Sequence, residues 1–199
     1  MIQYKISYAN PHRHYVDFQL TTSTNGEDKM QFQLSAWRPG RYELANFSQN
    51  IQKWGAFDEN NNPLFFKKIT KDLWEVDTDG IEEITIVYNF YANQLDAGSC
   101  YLDEHQLYLN PVHCMFYIVD RMEEDYILEL EIPDSYEIAT SMRKNGNTIN
   151  VRGYDLLAES PIICSDSLQY DTYIVDGIPF HLWFQGRCKI DWEKLKKDF

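Results

Sequence analysis

Turn signals at regular intervals constrain this 199-residue chain more than any other feature. Asn25-Gly26, Asn60-Asn61-Asn62-Pro63, Lys144-Asn145-Gly146-Asn147 and Asp176-Gly177 each combine residues that tolerate positive φ or that stop a strand. Between them the chain alternates apolar and polar residues with period two, the pattern of strands with one buried face. The alternation predicts strands over 4–8, 15–20, 30–37, 51–57, 64–68, 73–77 and 83–92. It continues over 112–119, 126–132, 136–140, 148–152, 168–175 and 178–185. Residues 112–119 are apolar throughout and are expected to be buried on both faces. Ile84, Ile86, Tyr88 and Phe90 share one face of the clearest strand. Asn25-Gly26, Asn145-Gly146 and Asp176-Gly177 read as hairpins, and residues 41–47 as a helical turn. Only 190–199 reads as a helix: Asp191 can cap it, Lys194, Lys196 and Lys197 lie toward its end, and Trp192, Leu195 and Phe199 form an apolar stripe. The expectation is an all-β chain, an antiparallel β-sandwich of many short strands with a C-terminal helix.

Composition agrees and removes several functions. Apolar residues make up 44% of the chain, with 14 Tyr, 11 Phe and 5 Trp, which suits pleated half-buried surfaces. The net charge of −13, with no basic run, repels phosphate backbones, so nucleic acid is not an expected partner. No apolar run nears the roughly 20 residues that span a bilayer, so no membrane partner is expected. The start reads as a strand rather than a secretory leader, and Cys100, Cys114, Cys164 and Cys188 form no Cys-x-x-Cys pair. That predicts free thiols and a cytoplasmic setting. The five histidines, His12, His14, His105, His113 and His181, contain no His-Glu-x-x-His, so neither a metal site nor catalytic residues are expected here. On a strand, His113 and Cys114 would point apart, and Cys114 reads as a small buried hydrophobe. Asp96, Asp103 and Glu104 cluster in sequence, but adjacent Asp103 and Glu104 would diverge on a strand and form no catalytic pair.

One stretch stands apart from this pattern: Trp37-Arg38-Pro39-Gly40-Arg41-Tyr42. Pro39-Gly40 stops the strand before it, two arginines flank the turn, and two aromatic rings bracket it. Around it lie Asn10-Pro11-His12-Arg13-His14, Leu73-Trp74-Glu75-Val76 and Leu102-Asp103-Glu104-His105-Gln106-Leu107-Tyr108-Leu109-Asn110. In this order the segments resemble the N-terminal domain of the glycyl aminopeptidase family of zinc metallopeptidases, in the thermolysin-like clan. The resemblance covers nearly the whole chain. It implies a non-catalytic β domain that packs in cis on a catalytic domain, walls the substrate cleft and shares a peptide substrate. No cofactor is then expected here, and zinc belongs to the parent's catalytic domain. It also implies that 101–110 reaches the cleft, with Asn110, Asp103 and Glu104 as acceptors for the substrate's free amine. The expected division is a sandwich over 1–188 and the start of a helical connection over 189–199. Trp37, Arg38, Pro39, Gly40, Arg41 and Tyr42 then form a corner or an interface, the aromatic rings filling the bend and the arginines pairing with acids within the domain or across to the catalytic one. The alternative is a free-standing β-sandwich module for carbohydrate or protein, with Trp37, Trp54, Trp74 and Trp183 available to stack on sugars.

Overall fold

The computed structural model describes residues 1–38, 40–41 and 43–198. Four sheets carry most of the chain. The largest has seven strands in the spatial order Arg143–Asn145, Thr148–Arg152, Asp125–Leu130, Ile2–Ser7, Tyr15–Ser23, Glu83–Tyr91 and Ile51–Asp58. Every neighbouring pair is antiparallel except Ile2–Ser7 against Asp125–Leu130, which runs parallel. A second sheet orders Phe116–Ile118, Lys29–Leu34, Leu73–Asp77 and Phe66–Lys68. A third orders Glu137–Ala139, Ile162–Ser165, Gln106–Leu109 and Tyr101–Leu102. The last is the hairpin Leu168–Val175 with Ile178–Gln185, each strand paired only with the other.

The alternation sets the core. Ile2, Tyr4, Ile6, Val16, Phe18, Leu20, Ile84, Ile86, Tyr88 and Phe90 turn inward from the large sheet and are buried. Met30, Phe32, Leu34, Trp74 and Val76 meet them from the second sheet in one continuous cluster. Phe116 joins the two layers, edge-on to Tyr88 at 4.9 Å and to Trp74 at 5.1 Å between ring centroids.

Residues 112–119 form one strand in expectation, but the structure divides them. Pro111–Cys114 is a helical turn and only Phe116–Ile118 is a strand. Both parts are almost wholly buried, so their backbone polar groups need partners inside the protein. Three tyrosines supply them. Tyr88 donates to the Cys114 carbonyl (2.7 Å), Tyr154 to the Met115 carbonyl (3.0 Å) and Tyr4 to the Phe116 carbonyl (3.0 Å). The Phe116 N–H donates back to the Tyr4 oxygen at 2.9 Å. Burial raises all three phenols well above their usual value, so each keeps its proton.

Other departures have similar causes. Asn25-Gly26 makes a turn, yet Tyr15–Ser23 and Lys29–Leu34 lie in different sheets, so the turn carries the chain between layers. The Asn145-Gly146 hairpin joins Arg143–Asn145 to Thr148–Arg152, while Glu137–Ala139 pairs elsewhere, with Ile162–Ser165. The helical turn expected at 41–47 falls instead at Phe47–Asn50. Helix Gly153–Ala158 and strand Ile162–Ser165 carry no periodic signal, and the helix begins at a glycine with φ 72°. The C-terminal helix is Trp192–Asp198, with Asp191 accepting from the Lys194 N–H, while Phe199 lies outside the described residues. Trp192 packs edge-on to Phe184 of the hairpin at 5.5 Å, and Lys196 pairs with Asp171 at 2.7 Å.

A half-buried ion pair ties the end of the second sheet to the first. Arg121 holds Glu124 through two bonds (2.6 and 3.1 Å) and donates to the Ser23 carbonyl and the Thr22 hydroxyl. Arg121 lowers the Glu124 carboxyl to about 2.

Two predictions follow from the buried hydroxyls. Tyr154→Phe leaves the Met115 carbonyl and the Ser35 hydroxyl without their partner and costs about 1–3 kcal/mol in urea unfolding. Tyr126→Phe has the opposite expectation: its hydroxyl is buried with no partner, so removal is neutral or stabilising by up to about 1 kcal/mol. Equal losses at the two positions would show that the carbonyl contacts contribute nothing specific.

Candidate functional site

The Arg38–Arg41 turn faces a cleft. Arg41 N–H donates to the Arg38 carbonyl at 3.2 Å, and Gly40 between them has φ 75°, which a side chain would strain. Ala45 N–H closes the corner onto the Ala36 carbonyl at 2.8 Å. Trp37 is exposed and does not fill the bend, and Pro39 and Tyr42 lie outside the described residues. The cleft beside this turn has a volume of about 230 Å³. Arg38, Arg41, Asp96 and Gly98 line it together with Phe47, Phe90 and the buried His113.

Each charged group there has a defined partner. Arg41 reaches Glu43 at 3.4 Å. Asp96 accepts from the Gly98 N–H (2.7 Å) and the Gln94 amide (2.6 Å), and the Gly98 bond holds its carboxyl below the usual range. Arg38 donates to the Ala97 carbonyl at 3.2 Å and caps that loop, and it forms no ion pair among the described residues. Its guanidinium lies where a Cβ on residue 98 would stand, so glycine at 98 makes room for it. His113 is 5% exposed and stacks on Phe47 with centroids 3.7 Å apart. It sits on a helical turn, not a strand, which corrects the expected divergence from Cys114. Its Nε2 is buried without a partner. Burial first, then the nearby Arg38 charge, pushes the imidazole down to about 4. Sequence reasoning weighed His113 only beside Cys114 and did not join it to Phe47, because residues 66 apart in the chain carry no joint signal.

The three residues expected to hold an amine lie along a neighbouring segment. Asn110 is buried; its amide donates to the Ser99 carbonyl (2.6 Å) and the Tyr108 hydroxyl (3.0 Å), and its carbonyl accepts from the Cys100 and Cys114 thiols. It lines a second groove that also touches Arg38. Asp103 Oδ1 accepts from the backbone N–H groups of His105 (2.8 Å) and Gln106 (2.9 Å), closing the turn before Gln106–Leu109. Glu104 is exposed, its two oxygens 3.4 Å from His12 Nδ1 and His105 Nε2. Among the described residues no three His, Cys, Asp or Glu side chains are grouped to hold a metal ion, so this donor set does not fit zinc. Cys100, Cys114 and Cys164 are buried free thiols, and burial raises Cys164 to about 12. Trp54 and Trp74 stack on each other at 5.7 Å, with Trp74 buried and Trp54 half-buried. No helix among the described residues is long and apolar enough to cross a membrane.

Known proteins agree with the strand pattern. The profile of the peptidase M61 N-terminal domain matches residues 3–166, and the chain belongs to that family, as the sequence resemblance implied. An aminopeptidase N family protein from Idiomarina loihiensis superimposes over 100% of this chain with a TM-score of 0.91 and 28% identity. This chain spans 35% of the length of that protein. An M1 zinc metallopeptidase from Deinococcus radiodurans aligns with 98% of this chain and 50% of its own, at 10% identity and a TM-score of 0.48. No curated protein matches the sequence.

The His113 environment predicts a pH response. Its folded value of about 4 lies below the ordinary 6.5, so the unfolded chain binds the proton more readily between those values. Stability therefore falls as pH drops through that window, by about 1 kcal/mol between pH 7 and 5.5. Denaturant unfolding at the two pH values checks this, and His113→Gln should lose that part of the slope.

Proposed function

We propose that this chain is the non-catalytic β domain of a zinc aminopeptidase, packed in cis on a catalytic domain and forming one wall of its peptide cleft. One observation carries the reading: the hairpin beyond the family-matched stretch is apolar and uncovered. Ile174 (72% exposed), Ile178 (61%) and Phe180 (44%) project from two strands that pair only with each other. Apolar surface of this kind is stabilised by a covering partner. Membership of a peptidase N-terminal domain family, and the larger relative of which this chain spans about a third, make a catalytic domain the fitting partner. The zinc would be held by that domain, since the histidines here are not grouped for it.

The strand pairing favours a division near Ser167. The sandwich strands end at Ser165 and the family match at 166, which supports a boundary before residue 188 with the hairpin and helix 192–198 as the connecting unit. Within the sandwich, the 101–110 segment is the part offered to the substrate. Glu104 has the more open carboxylate of the two acids and suits an ammonium group. Asp103 stands beside it with its Oδ1 occupied, and Asn110 anchors the segment to the core.

Alone, the chain is expected to leave aminoacyl anilides intact and to take up no stoichiometric zinc; hydrolysis by the chain itself overturns the reading. The coding sequence after Phe199 should supply His-Glu-x-x-His, and a stop codon there has the same force. In the longer polypeptide, Glu104→Gln should raise KM about tenfold with kcat nearly unchanged. An unchanged KM removes Glu104 from the amine site.

A further inference from the structure

Arg38 is an incompletely used cation in a chain of net charge −13. Its guanidinium spends one hydrogen bond on the Ala97 carbonyl, and among the described residues it has no carboxylate within ion-pair distance. It rests against the Gly98 backbone, where the missing side chain gives it room. Nearby, Arg41 pairs with Glu43, while Asp96 accepts from the neutral Gly98 N–H and Gln94 amide and stays negative within reach of the Arg38 charge. The lining holds a second unfilled polar group, the His113 Nε2, 95% of its residue buried and unpartnered. Leaving such an atom unpaired is costly, and a cleft ligand that gained access to it would relieve that cost. Phe47, stacked on His113, and Phe90 give the cleft an apolar base.

We propose that this cleft is a carboxylate-binding pocket, with the Arg38 guanidinium taking the carboxylate and neutral His113 the adjoining polar group of a ligand about one amino-acid unit long. A planar guanidinium with free donors matches a carboxylate in two parallel bonds. With Glu43 and Asp96 the cleft is neutral overall, so the guanidinium selects its ligand by donor geometry and not by surplus charge. Asp96 and Glu43 line the same cleft and repel any anion, a dianion about twice as strongly as a monoanion, which favours a carboxylate over phosphate. The volume of about 230 Å³ admits a small acylated amino acid and excludes a folded partner. The pocket is built from this chain's own residues and goes beyond the amine site at Glu104: it takes the opposite charge on a different segment.

The test is a titration of the intact chain at pH 7, followed by the NMR signals of the Arg38 guanidinium and the His113 ring. Four probes are used: N-acetylglycine, N-acetylaspartic acid amidated at its α-carboxyl, N-acetylglycinamide and inorganic phosphate. The two carboxylates should shift both signals, and the tighter of them tells whether a chain terminus or an acidic side chain is the ligand. The amide should bind about ten- to a hundredfold more weakly, as should the carboxylates to Arg38→Gln. Gly98→Ala, which displaces the guanidinium without removing it, should weaken binding in the same direction. Equal binding of the amide, tighter binding of phosphate, no shift with either carboxylate, or full binding by a folded Arg38→Gln each overturns the proposal. The amide and acid arms compare ligands on the unaltered chain, so the result does not depend on any variant folding.

Discussion

Three tyrosine hydroxyls seated on three consecutive carbonyls, those of Cys114, Met115 and Phe116, are the constraint on which the rest of the structure depends. A segment that changes from helical turn to strand cannot satisfy its own backbone, and this one runs through the core with almost no access to water. Tyr4 and Tyr88 reach it from the large sheet and Tyr154 from the helix at 153–158. Their rings add packing to the bond: Tyr88 lies parallel to Phe18 at 5.0 Å and edge-on to Phe116. The sheets are thereby fixed to one another through a strip of backbone, which a purely apolar interface could not do with the same directionality.

The cleft inherits this rigidity. His113 lies on the helical turn immediately before the anchored carbonyls, and Asn110 caps the same turn while its carbonyl accepts two thiols. Across the cleft the Arg38 turn is closed by its own backbone bond and by Ala45 onto Ala36. The imidazole stays neutral because its surroundings are apolar and cationic, and both conditions follow from where the turn is anchored.

Much of this was legible in the sequence, and what was not has identifiable causes. The alternation of Ile84, Ile86, Tyr88 and Phe90 fixed both the strand and its inner face, since period two survives any sheet arrangement. Residues 112–119 misled because an unbroken apolar run has no period to read, and Pro111 at the first helical position was the one local sign of a turn. Asn25-Gly26 specified a tight turn correctly but not whether the strands on either side would pair or part, a matter of long-range contacts. Within the site, Arg38 stood out through its motif. His113 and Phe47 came together only through folding, and the unpaired Nε2 leaves no trace in a sequence.

The two ends of the chain are stabilised in different ways. Up to Ser165 every strand belongs to a sheet that joins the common cluster or borders it, and the buried fraction is high. From Leu168 onward the two strands pair only with each other, their aromatic rings stack along the hairpin from Tyr173 on Phe180 to Tyr170 on Trp183, and no hairpin residue is buried. A lone two-stranded ribbon is marginal in water, so the ring ladder, the Lys196–Asp171 pair and the Trp192 contact are what keep it in register. Such a unit gains most from a surface that covers its apolar side, whereas the sandwich has already buried its own. The polypeptide therefore carries a self-sufficient part, which contains the Arg38 cleft, and a part whose outward apolar residues favour a partner. Substitutions in the first should be read as changes in stability or ligand affinity, and substitutions at Ile174 or Ile178 as changes in association.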